Sequence, residues 1–230
     1  MNKILWEIYA ISYDKLTHLP FYKKLVEDVY KELDVHERGV YLDAGCGTGE
    51  LLRKIIDGKK VKAYGIDISR LMLKRAAKKL KNPENVILVY GNLNQKLPFK
   101  DNFYDGITCI HTLYALENPK LILQEFYRIL KPGGRLVVSD LKKGFSYRPL
   151  ISNVKEYLLR QKKEIMKLLP HFFIVGIFNV LQDFEMRKER KNFLSGDELE
   201  KLLREANFSD IEIKETYSSQ SILISGKKLK

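Results

Sequence analysis

Residues Leu42 to Glu50 read LDAGCGTGE, and this stretch decides the fold. It continues the short apolar run VYL (40–42) and precedes ELLRKIID (50–57), in which apolar residues recur at helical spacing. A buried strand therefore leads into a glycine turn and then into a helix. In an open parallel sheet, such a turn lies at the carboxyl end of a strand, where ligands bind.

The same alternation of strand and helix continues along the chain. The predicted strands are VKAYGID (61–67), NVILVYG (85–91), YDGITCIH (104–111) and GRLVVSD (134–140), and the predicted helices are SRLMLKRAAKKL (69–80) and NPKLILQEFYRIL (118–130). Strands that are nearly continuous apolar runs and alternate with helices indicate a parallel sheet with helices on both faces.

The carboxyl-terminal part departs from this alternation. After the predicted helix SGDELEKLLREANF (195–208), the strands DIEIKETY (210–217) and SILISGKK (221–228) are separated by three residues. Strands that close together must be antiparallel, because a parallel crossover needs about a dozen residues or more. The prediction is a doubly wound α/β fold with a Rossmann-like, mainly parallel sheet of seven strands that ends in an antiparallel hairpin.

Two segments lie outside the alternation and define the predicted domains. Residues 1–39 are predicted to form a helical cap with a break at HLP (18–20), and residues 144–192 a helical lid over the substrate. The core comprises residues 40–143 and 193–230.

The chain has 230 residues and a formal net charge of +12. Its densest basic clusters, RAAKKLK (75–81) and RKERK (187–191), fall on helical patterns. A basic face favours anionic partners such as nucleic acid or a membrane surface, and a solvated helix face is the alternative. The longest apolar run, FFIVGIF (172–178), is much shorter than the roughly 20 residues that span a bilayer. The start lacks the pattern of a secretory signal, so we expect a cytoplasmic protein, with peripheral membrane contact left open.

Metal and disulfide chemistry is not expected. Cys46 and Cys109 both lie in apolar stretches, where a cysteine acts as a small hydrophobic residue. The four histidines are scattered without the spacing of metal ligands.

Glycines on alternate positions and two acids indicate a nucleoside site. Gly45, Gly47 and Gly49 can take positive φ angles and let a ligand approach backbone N–H groups. Asp43 precedes the turn, and Asp67 ends the second strand, where a carboxylate can accept from both ribose hydroxyls. The G-x-G-x-G spacing differs from the dinucleotide pattern G-x-G-x-x-G, and the Lys-Ser/Thr ending of a phosphate-binding loop is missing.

Four blocks carry a resemblance to a known family. They are LDAGCGTGE, GIDIS (65–69), YGNLNQKLPFKDNFYD (90–105) and EFYRILKPGGRLVVSD (125–140). In this order they resemble the class I S-adenosylmethionine-dependent methyltransferases of the small-molecule type. The segment IYAISYDKL (8–16) resembles the A-x-x-Y-D segment of the ubiquinone/menaquinone C-methyltransferases.

The resemblance implies S-adenosylmethionine as cofactor and S-adenosylhomocysteine as product. It implies that Asp43, Gly45 and Gly47 contact the methionine part and that Asp67 accepts from the ribose hydroxyls. The other implied contacts are Ile68 and Asn92 at the adenine, Leu93 through its backbone N–H, Ile110 and His111 through the backbone of the fourth strand, and Tyr13 over the carboxylate end.

Some of these assignments have alternatives. The family usually has aspartate where this chain has Asn92, although an amide oxygen can accept the same hydrogen bond. Ile68 and Leu93 as plain core residues remain open, as does Tyr13 as an ordinary aromatic of an amphipathic helix.

Methyl transfer requires mainly the alignment of the acceptor and the exclusion of water. A general base is needed only when the acceptor retains a proton that it must lose. His111, at the end of the fourth strand, is the candidate catalytic residue, with a wall residue that transfers no proton as the alternative.

The acceptor is expected to be small and partly hydrophobic. Residues 110–119 read IHTLYALENP and lack the N/D-P-P-Y/F block typical of base N-methylation. The apolar run 172–178 of the lid favours such an acceptor, and packing of the lid on the core is the alternative reading of that run. An RNA or protein methyltransferase that uses the basic surface, and a cofactor-binding module without catalysis, remain competing hypotheses.

Overall fold

The computed structural model describes residues 13–14, 17–81, 83–146, 149, 152 and 193–229. Its helices are α1 (Pro20–Leu33), α2 (Glu50–Ile56), α3 (Arg70–Leu80), α4 (Pro119–Ile129) and α5 (Gly196–Glu205), with a short 3-10 turn at Leu113–Ala115. Its strands are β1 (Val40–Ala44), β2 (Lys62–Asp67), β3 (Val86–Tyr90), β4 (Tyr104–Ile110), β5 (Leu130–Leu141), β6 (Phe208–Thr216) and β7 (Ser221–Lys228).

The strands form one seven-stranded sheet in the order β3-β2-β1-β4-β5-β7-β6. Strands β1 to β5 pair in parallel, and β7 is antiparallel to both β5 and β6. The fold class and the terminal hairpin predicted from the sequence are therefore confirmed. The strand order reverses between β1 and β4, and such a switch point opens a crevice for ligands at the carboxyl ends of the strands.

Helices cover both faces of the sheet. On one face, α4 and α5 contribute Ile122, Phe126 and Leu203 to the larger core cluster. On the other face, α1, α2 and α3 contribute a second cluster of aliphatic side chains, including Val29 and Leu52. The alternating pattern of elements thus produces the two helical layers that continuous apolar strands require.

The helix caps follow the sequence signals. The Ser69 hydroxyl accepts from the N–H of Met72 at the start of α3. Ser195 and Glu198 form a reciprocal capping box at the start of α5. In both places a serine oxygen satisfies a backbone N–H that lacks a helical partner, which is why serine is favoured at the start of a helix.

The boundary between α4 and β5 differs from the prediction. The helix ends at Ile129 and the strand begins at Leu130, four residues before the predicted start. Leu130 pairs with Tyr104, and the register then shifts before Gly106 pairs with Arg135. The Pro-Gly-Gly stretch is thus an irregular part of the strand, since a proline ends a helix but is tolerated at a strand irregularity.

Most of the predicted lid lies outside the described residues, as do residues 1–12, 15 and 16 of the predicted cap. The predicted helix before the HLP break is described only at residues 13, 14 and 17, whereas α1 begins at Pro20, the last residue of the break. Among the described helices, none is both long enough and apolar enough to cross a membrane.

Candidate cofactor and acceptor site

The turn after β1 contains three glycines in left-handed backbone conformations. The φ angles of Gly45, Gly47 and Gly49 are 77°, 52° and 78°, values that a residue with a β-carbon rarely adopts. A β-carbon on Gly45 would also collide with the side chain of Thr112, which follows β4. The N–H of Gly45 donates to the carbonyl of Ile66 at 2.8 Å. The backbone of the glycine turn is therefore hydrogen-bonded to β2 and packs closely against the end of β4.

Asp43 lies immediately before this turn, and only 3% of it is exposed. Its Oδ1 accepts a hydrogen bond from the Thr108 hydroxyl at 2.9 Å. Burial, reinforced by the charge of Asp67, raises the pKa of Asp43 to about 7. A cation beside this carboxyl group would stabilise its ionised form. Asp43 therefore suits a ligand that carries positive charge, such as a sulfonium or an ammonium group.

The carboxylate of Asp67 joins the end of β2 to the glycine turn. Its Oδ2 accepts from the N–H of Gly47 at 2.9 Å, and its Oδ1 accepts from the N–H of Ser69 at 2.8 Å. These bonds orient the carboxylate between the turn and the start of α3. The structure thus brings Asp67 and the glycine turn together from two neighbouring strands.

Ile68, Asn92 and Leu93 follow β2 and β3, which are neighbours in the sheet. The Oδ1 atom of Asn92 accepts from the N–H of Asn94 at 3.0 Å, so the side chain belongs to a local Asx turn. Ile68 keeps intermediate exposure. The Leu93 side chain is buried in the core, which favours the core alternative for that side chain, whereas the role implied for Leu93 uses its backbone N–H.

Tyr13 lies against the glycine turn. Its ring carbon Cε1 would be 3.4 Å from a β-carbon on Gly47. Its hydroxyl is 2.6 Å from the hydroxyl of Tyr22 on α1, and the two rings meet edge to face with centroids 6.0 Å apart. The structure therefore brings Tyr13 to the predicted cofactor site.

Asp14, beside Tyr13, was not singled out from the sequence. Its carboxylate accepts from Nζ of Lys79 and from the hydroxyl of Thr48, both at 2.6 Å, and from Arg75 at 3.4 Å. Thr48 belongs to the glycine turn, and the two basic residues lie on α3. The Y-D pair of the amino-terminal segment was the available signal, but a sequence pattern does not reveal which cations surround an acid.

The backbone of His111 is unusual. Its φ angle is 46°, in the left-handed region, where a residue other than glycine is uncommon and merits a functional explanation. Its N–H donates to the carbonyl of Ser139 on β5 at 2.7 Å. The carbonyl of Ile110, which is half-buried, accepts from the hydroxyl of Thr112 at 2.8 Å. These bonds hold the end of β4 in a sharp bend beside the glycine turn.

The His111 side chain is held by residues from the carboxyl-terminal hairpin. Its Nε2 lies 2.7 Å from the hydroxyl oxygen of Ser221, and its ring meets that of Tyr217 at a centroid distance of 4.7 Å. Burial lowers the pKa of His111 to about 3, so the imidazole is neutral near neutral pH. An efficient general base has a pKa near the working pH. The surroundings therefore favour a hydrogen-bonding wall residue over a proton acceptor.

No group of three His, Cys, Asp or Glu side chains in the described ranges could hold a metal ion. Cys46 and Cys109 are buried free thiols, and burial raises the pKa of both well above the usual value. They therefore remain protonated and unreactive near neutral pH.

These features fit S-adenosylmethionine. The glycine turn admits a ligand to the backbone, the buried Asp43 carboxyl suits a cationic group, and Asp67 lies at the strand end from which ribose hydroxyls are reached. When bound, this cofactor supplies an electrophilic methyl group on a sulfonium. Asp43, the glycine turn and Asp67 are the residues that would hold it.

The comparisons with known proteins agree with this fit. Residues 42–138 match the family described as "Methyltransferase domain". The chain is 27% identical to the demethylmenaquinone methyltransferase of Geobacillus sp. (strain WCH70), over 93% of this chain and 90% of that protein. It is 29% identical to the demethylmenaquinone methyltransferase of Staphylococcus carnosus (strain TM300), over 93% and 87% of the two chains.

Solved structures share the fold. A SAM-dependent methyltransferase from Aquifex aeolicus superposes with a TM-score of 0.64 at 21% identity, over 94% of this chain and 96% of that chain. Phosphoethanolamine N-methyltransferase 2 of Haemonchus contortus, in complex with S-adenosyl-L-methionine, gives a TM-score of 0.67 at 14% identity, over 96% of this chain and 57% of that chain.

The fold, the glycine turn and the two acids fit the cofactor site of a class I methyltransferase. Together with the domain match and the relatives, they place the chain among the S-adenosylmethionine-dependent methyltransferases. It is an enzyme of this class, and its cofactor is S-adenosylmethionine.

Proposed function

We propose that the chain transfers a methyl group to a small, partly hydrophobic acceptor that carries an aromatic ring, as demethylmenaquinone does. The observation that carries this proposal is an aromatic wall beside the glycine turn, formed by Phe21, His111 and Tyr217. The relatives named as demethylmenaquinone methyltransferases support it, because they align over nearly the whole chain.

The aromatic wall combines three parts of the chain. Phe21 lies on α1, His111 follows β4, and Tyr217 begins the turn between β6 and β7. The Phe21 and Tyr217 rings are 5.0 Å apart with an interplanar angle of 81°, and the His111 and Tyr217 rings are 4.7 Å apart at 73°. Aromatic rings prefer such edge-to-face contacts, so a further planar ring can extend the same arrangement.

The cofactor residues keep their predicted roles in this proposal. Asp43, Gly45 and Gly47 contact the methionine part, Asp67 accepts from the ribose hydroxyls, Ile68, Asn92 and Leu93 surround the adenine, Ile110 and His111 present their backbone from β4, and Tyr13 covers the carboxylate end. Residues 1–39 act as the cap and residues 144–192 as the lid that separates the acceptor from water. The enzyme works in the cytoplasm, and peripheral contact with a membrane gives it access to an acceptor with a long apolar chain.

The proposed mechanism relies on alignment. Correct placement of two reactants contributes about 7 to 11 kcal/mol to lowering a barrier. A neutral His111 imidazole can accept a hydrogen bond from a hydroxyl on the acceptor, or donate one, according to its tautomer. His111 thus orients the acceptor, and the low pKa makes full proton transfer to its ring unfavourable.

The basic surface gives less support to an RNA or protein substrate. Arg75 and Lys79 of the RAAKKLK cluster form ion pairs with Asp14, and Lys79 also pairs with Glu50. Half of the cations in this cluster are therefore engaged within the chain. Salt-sensitive binding to phosphates needs cations that are available to the nucleic acid.

Incorporation of labelled methyl groups tests the proposal. The purified protein is incubated with methyl-labelled S-adenosylmethionine and either fractionated cell extract or a reduced polyprenyl-1,4-naphthoquinone. We expect label in the organic phase and on the quinol, and much less label with the Asp67→Ala variant at a cofactor concentration that does not saturate it. Label that enters RNA or protein instead, with a steep dependence on salt, would contradict a small-molecule acceptor.

A further inference from the structure

The turn between β6 and β7 has a rare backbone conformation. Tyr217, Ser218 and Ser219 have φ angles of 53°, 56° and 57°. Residues with a β-carbon visit this left-handed region as single residues and seldom in succession. Asn or Gly would occupy such positions without this cost, yet the chain has none of either in the turn. A run of disfavoured conformations persists only where the surrounding structure enforces it.

The side chain of Gln220 holds the turn in this conformation. It is 9% exposed, and its Nε2 donates to the carbonyls of Ser218 and Ser219 at 3.4 and 3.1 Å. Its Oε1 accepts from the N–H of Ser146 at 2.8 Å, and its backbone N–H donates to the carbonyl of Tyr217 at 3.1 Å. One buried side chain therefore fixes the turn from inside and fastens it to the segment that follows β5.

The fixed turn directs two side chains at His111. The Tyr217 ring packs against the imidazole on one side and against Phe21 on the other. The Ser221 hydroxyl lies within hydrogen-bonding distance of His111 Nε2. The hairpin tip thus completes the aromatic wall that α1 and β4 begin.

We propose that Tyr217 is a specificity-determining residue of the acceptor subsite for an aromatic acceptor, held in place by the left-handed turn and Gln220. This inference rests on the proposed function and refines it. Tyr217 supplies the ring that contacts the acceptor, and Gln220 acts through Tyr217 as a positioning residue.

Steady-state kinetics with a reduced 1,4-naphthoquinone separates these roles. Tyr217→Leu should raise the KM for the quinol roughly 2- to 12-fold, because it removes the binding free energy of one aromatic pair. It should leave the affinity for S-adenosylhomocysteine unchanged. Tyr217→Phe keeps the ring and should retain most of the affinity for the quinol that Tyr217→Leu loses. Gln220→Met should also raise the KM for the quinol, because it releases the turn that positions Tyr217.

Two controls distinguish positioning from general stability. Tyr127→Ala removes a ring that packs on Phe208, on the opposite face of the sheet, and should lower the thermal midpoint without changing the KM. Asp34→Gly relieves a left-handed residue at the carboxyl end of α1, away from the hairpin turn, and should raise the thermal midpoint with the KM unchanged. An unchanged KM in Tyr217→Leu would overturn the inference.

Titration calorimetry with 1,4-naphthoquinone tests the inference independently of the proposed function, because it measures binding without methyl transfer. If the wild type transfers no methyl group to any quinol, the proposed function fails. Naphthoquinone that binds the wild type and binds Tyr217→Leu roughly 2- to 12-fold more weakly would still support the subsite. A wild type that binds no naphthoquinone would refute it.

Discussion

The Nζ atom of Lys79 lies 2.6 Å from the Oδ1 atom of Asp14, and this ion pair joins the amino-terminal segment to α3. The same Oδ1 accepts from Thr48 in the glycine turn. Asp14 therefore links three elements around the cofactor site, directly beside Tyr13. Both partners are only partly exposed, at 28% for Asp14 and 21% for Lys79, so solvent screens the pair incompletely.

Removing the charge of Asp14 should loosen this connection. We expect Asp14→Asn to lower the affinity for S-adenosylhomocysteine about 3- to 10-fold, because charge-assisted hydrogen bonds hold Tyr13 near the turn. Titration calorimetry measures the change. Glu205→Gln breaks an exposed pair with Lys120, far from the site, and should have no effect. Equal affinities in both variants would mean that the ion pair does not support the site.

Replacing Asp67 should weaken cofactor binding more strongly. Asp67→Ala removes the proposed ribose acceptor and also the bond to the Gly47 N–H. We expect a loss of affinity of about 10- to 100-fold, since a hydrogen bond to a charged group contributes about 1.5 to 3 kcal/mol. Glu212→Ala, an exposed acid on β6, is the control. An affinity equal to that of the wild type would remove the ribose assignment.

Alanine variants at two glycines with similar φ angles distinguish the energetic cost of backbone strain from that of a steric collision. Gly58 has a φ of 66°, and a β-carbon added there would meet open space, whereas a β-carbon on Gly45 meets Thr112. Gly58→Ala should cost about 1 to 2 kcal/mol of unfolding free energy. Gly45→Ala should cost at least about 3 kcal/mol, because overpacking is added.

Urea unfolding measures both variants. The double variant Gly45→Ala/Thr112→Ala should recover part of the loss, since it removes the collision and leaves the φ angle unchanged. If Gly45→Ala were no worse than Gly58→Ala, the close packing of the turn on the end of β4 would be disproved.

The raised pKa of Asp43 predicts a dependence of stability on pH. The folded protein holds this proton up to about pH 7, whereas the unfolded chain releases it near 3.8. The stability of the cofactor-free protein should therefore fall as pH rises between these values. In Asp43→Asn, the total loss of unfolding free energy over this pH range should be smaller by about 2 to 4 kcal/mol.

Urea unfolding at a series of pH values provides the measurement. Asp140, whose pKa burial raises to about 8, adds a slope of the same sign to both proteins, so the difference between their curves isolates Asp43. Cofactor affinity should rise through pH 7 in the wild type only, as the ionised carboxylate forms. Parallel stability curves for the two proteins would contradict the buried, protonated state.

Local sequence patterns predicted most of the fold and part of the site. The apolar runs before Gly45 and up to Asp67 specify adjacent parallel strands, and adjacent strands necessarily bring their carboxyl ends together. The short spacing between Thr216 and Ser221 specified the hairpin for a similar reason, since so few residues permit only a reversal of direction.

The remaining contacts depend on residues far apart in the chain. His111 and Ser221 meet because β7 enters the sheet next to β5, and no periodicity in the sequence specifies that neighbour. The left-handed φ angles of His111 and Tyr217 are imposed by tertiary contacts against the local preference of these residues. The start of β5 at Leu130 was missed because Pro132 and the glycines after it resemble a loop.

Strand β7, the last of the seven in chain order, lies inside the sheet between β5 and β6. During synthesis on a ribosome, β6 emerges before the strand that must separate it from β5. Strands β1 to β4, which carry the predicted nucleoside site, can pair with one another as soon as they are synthesised. The part of the sheet that carries Tyr217 and Ser221 forms only after β7 has inserted between β5 and β6. Nascent chains should therefore acquire affinity for the cofactor's nucleoside before they can discriminate between acceptors.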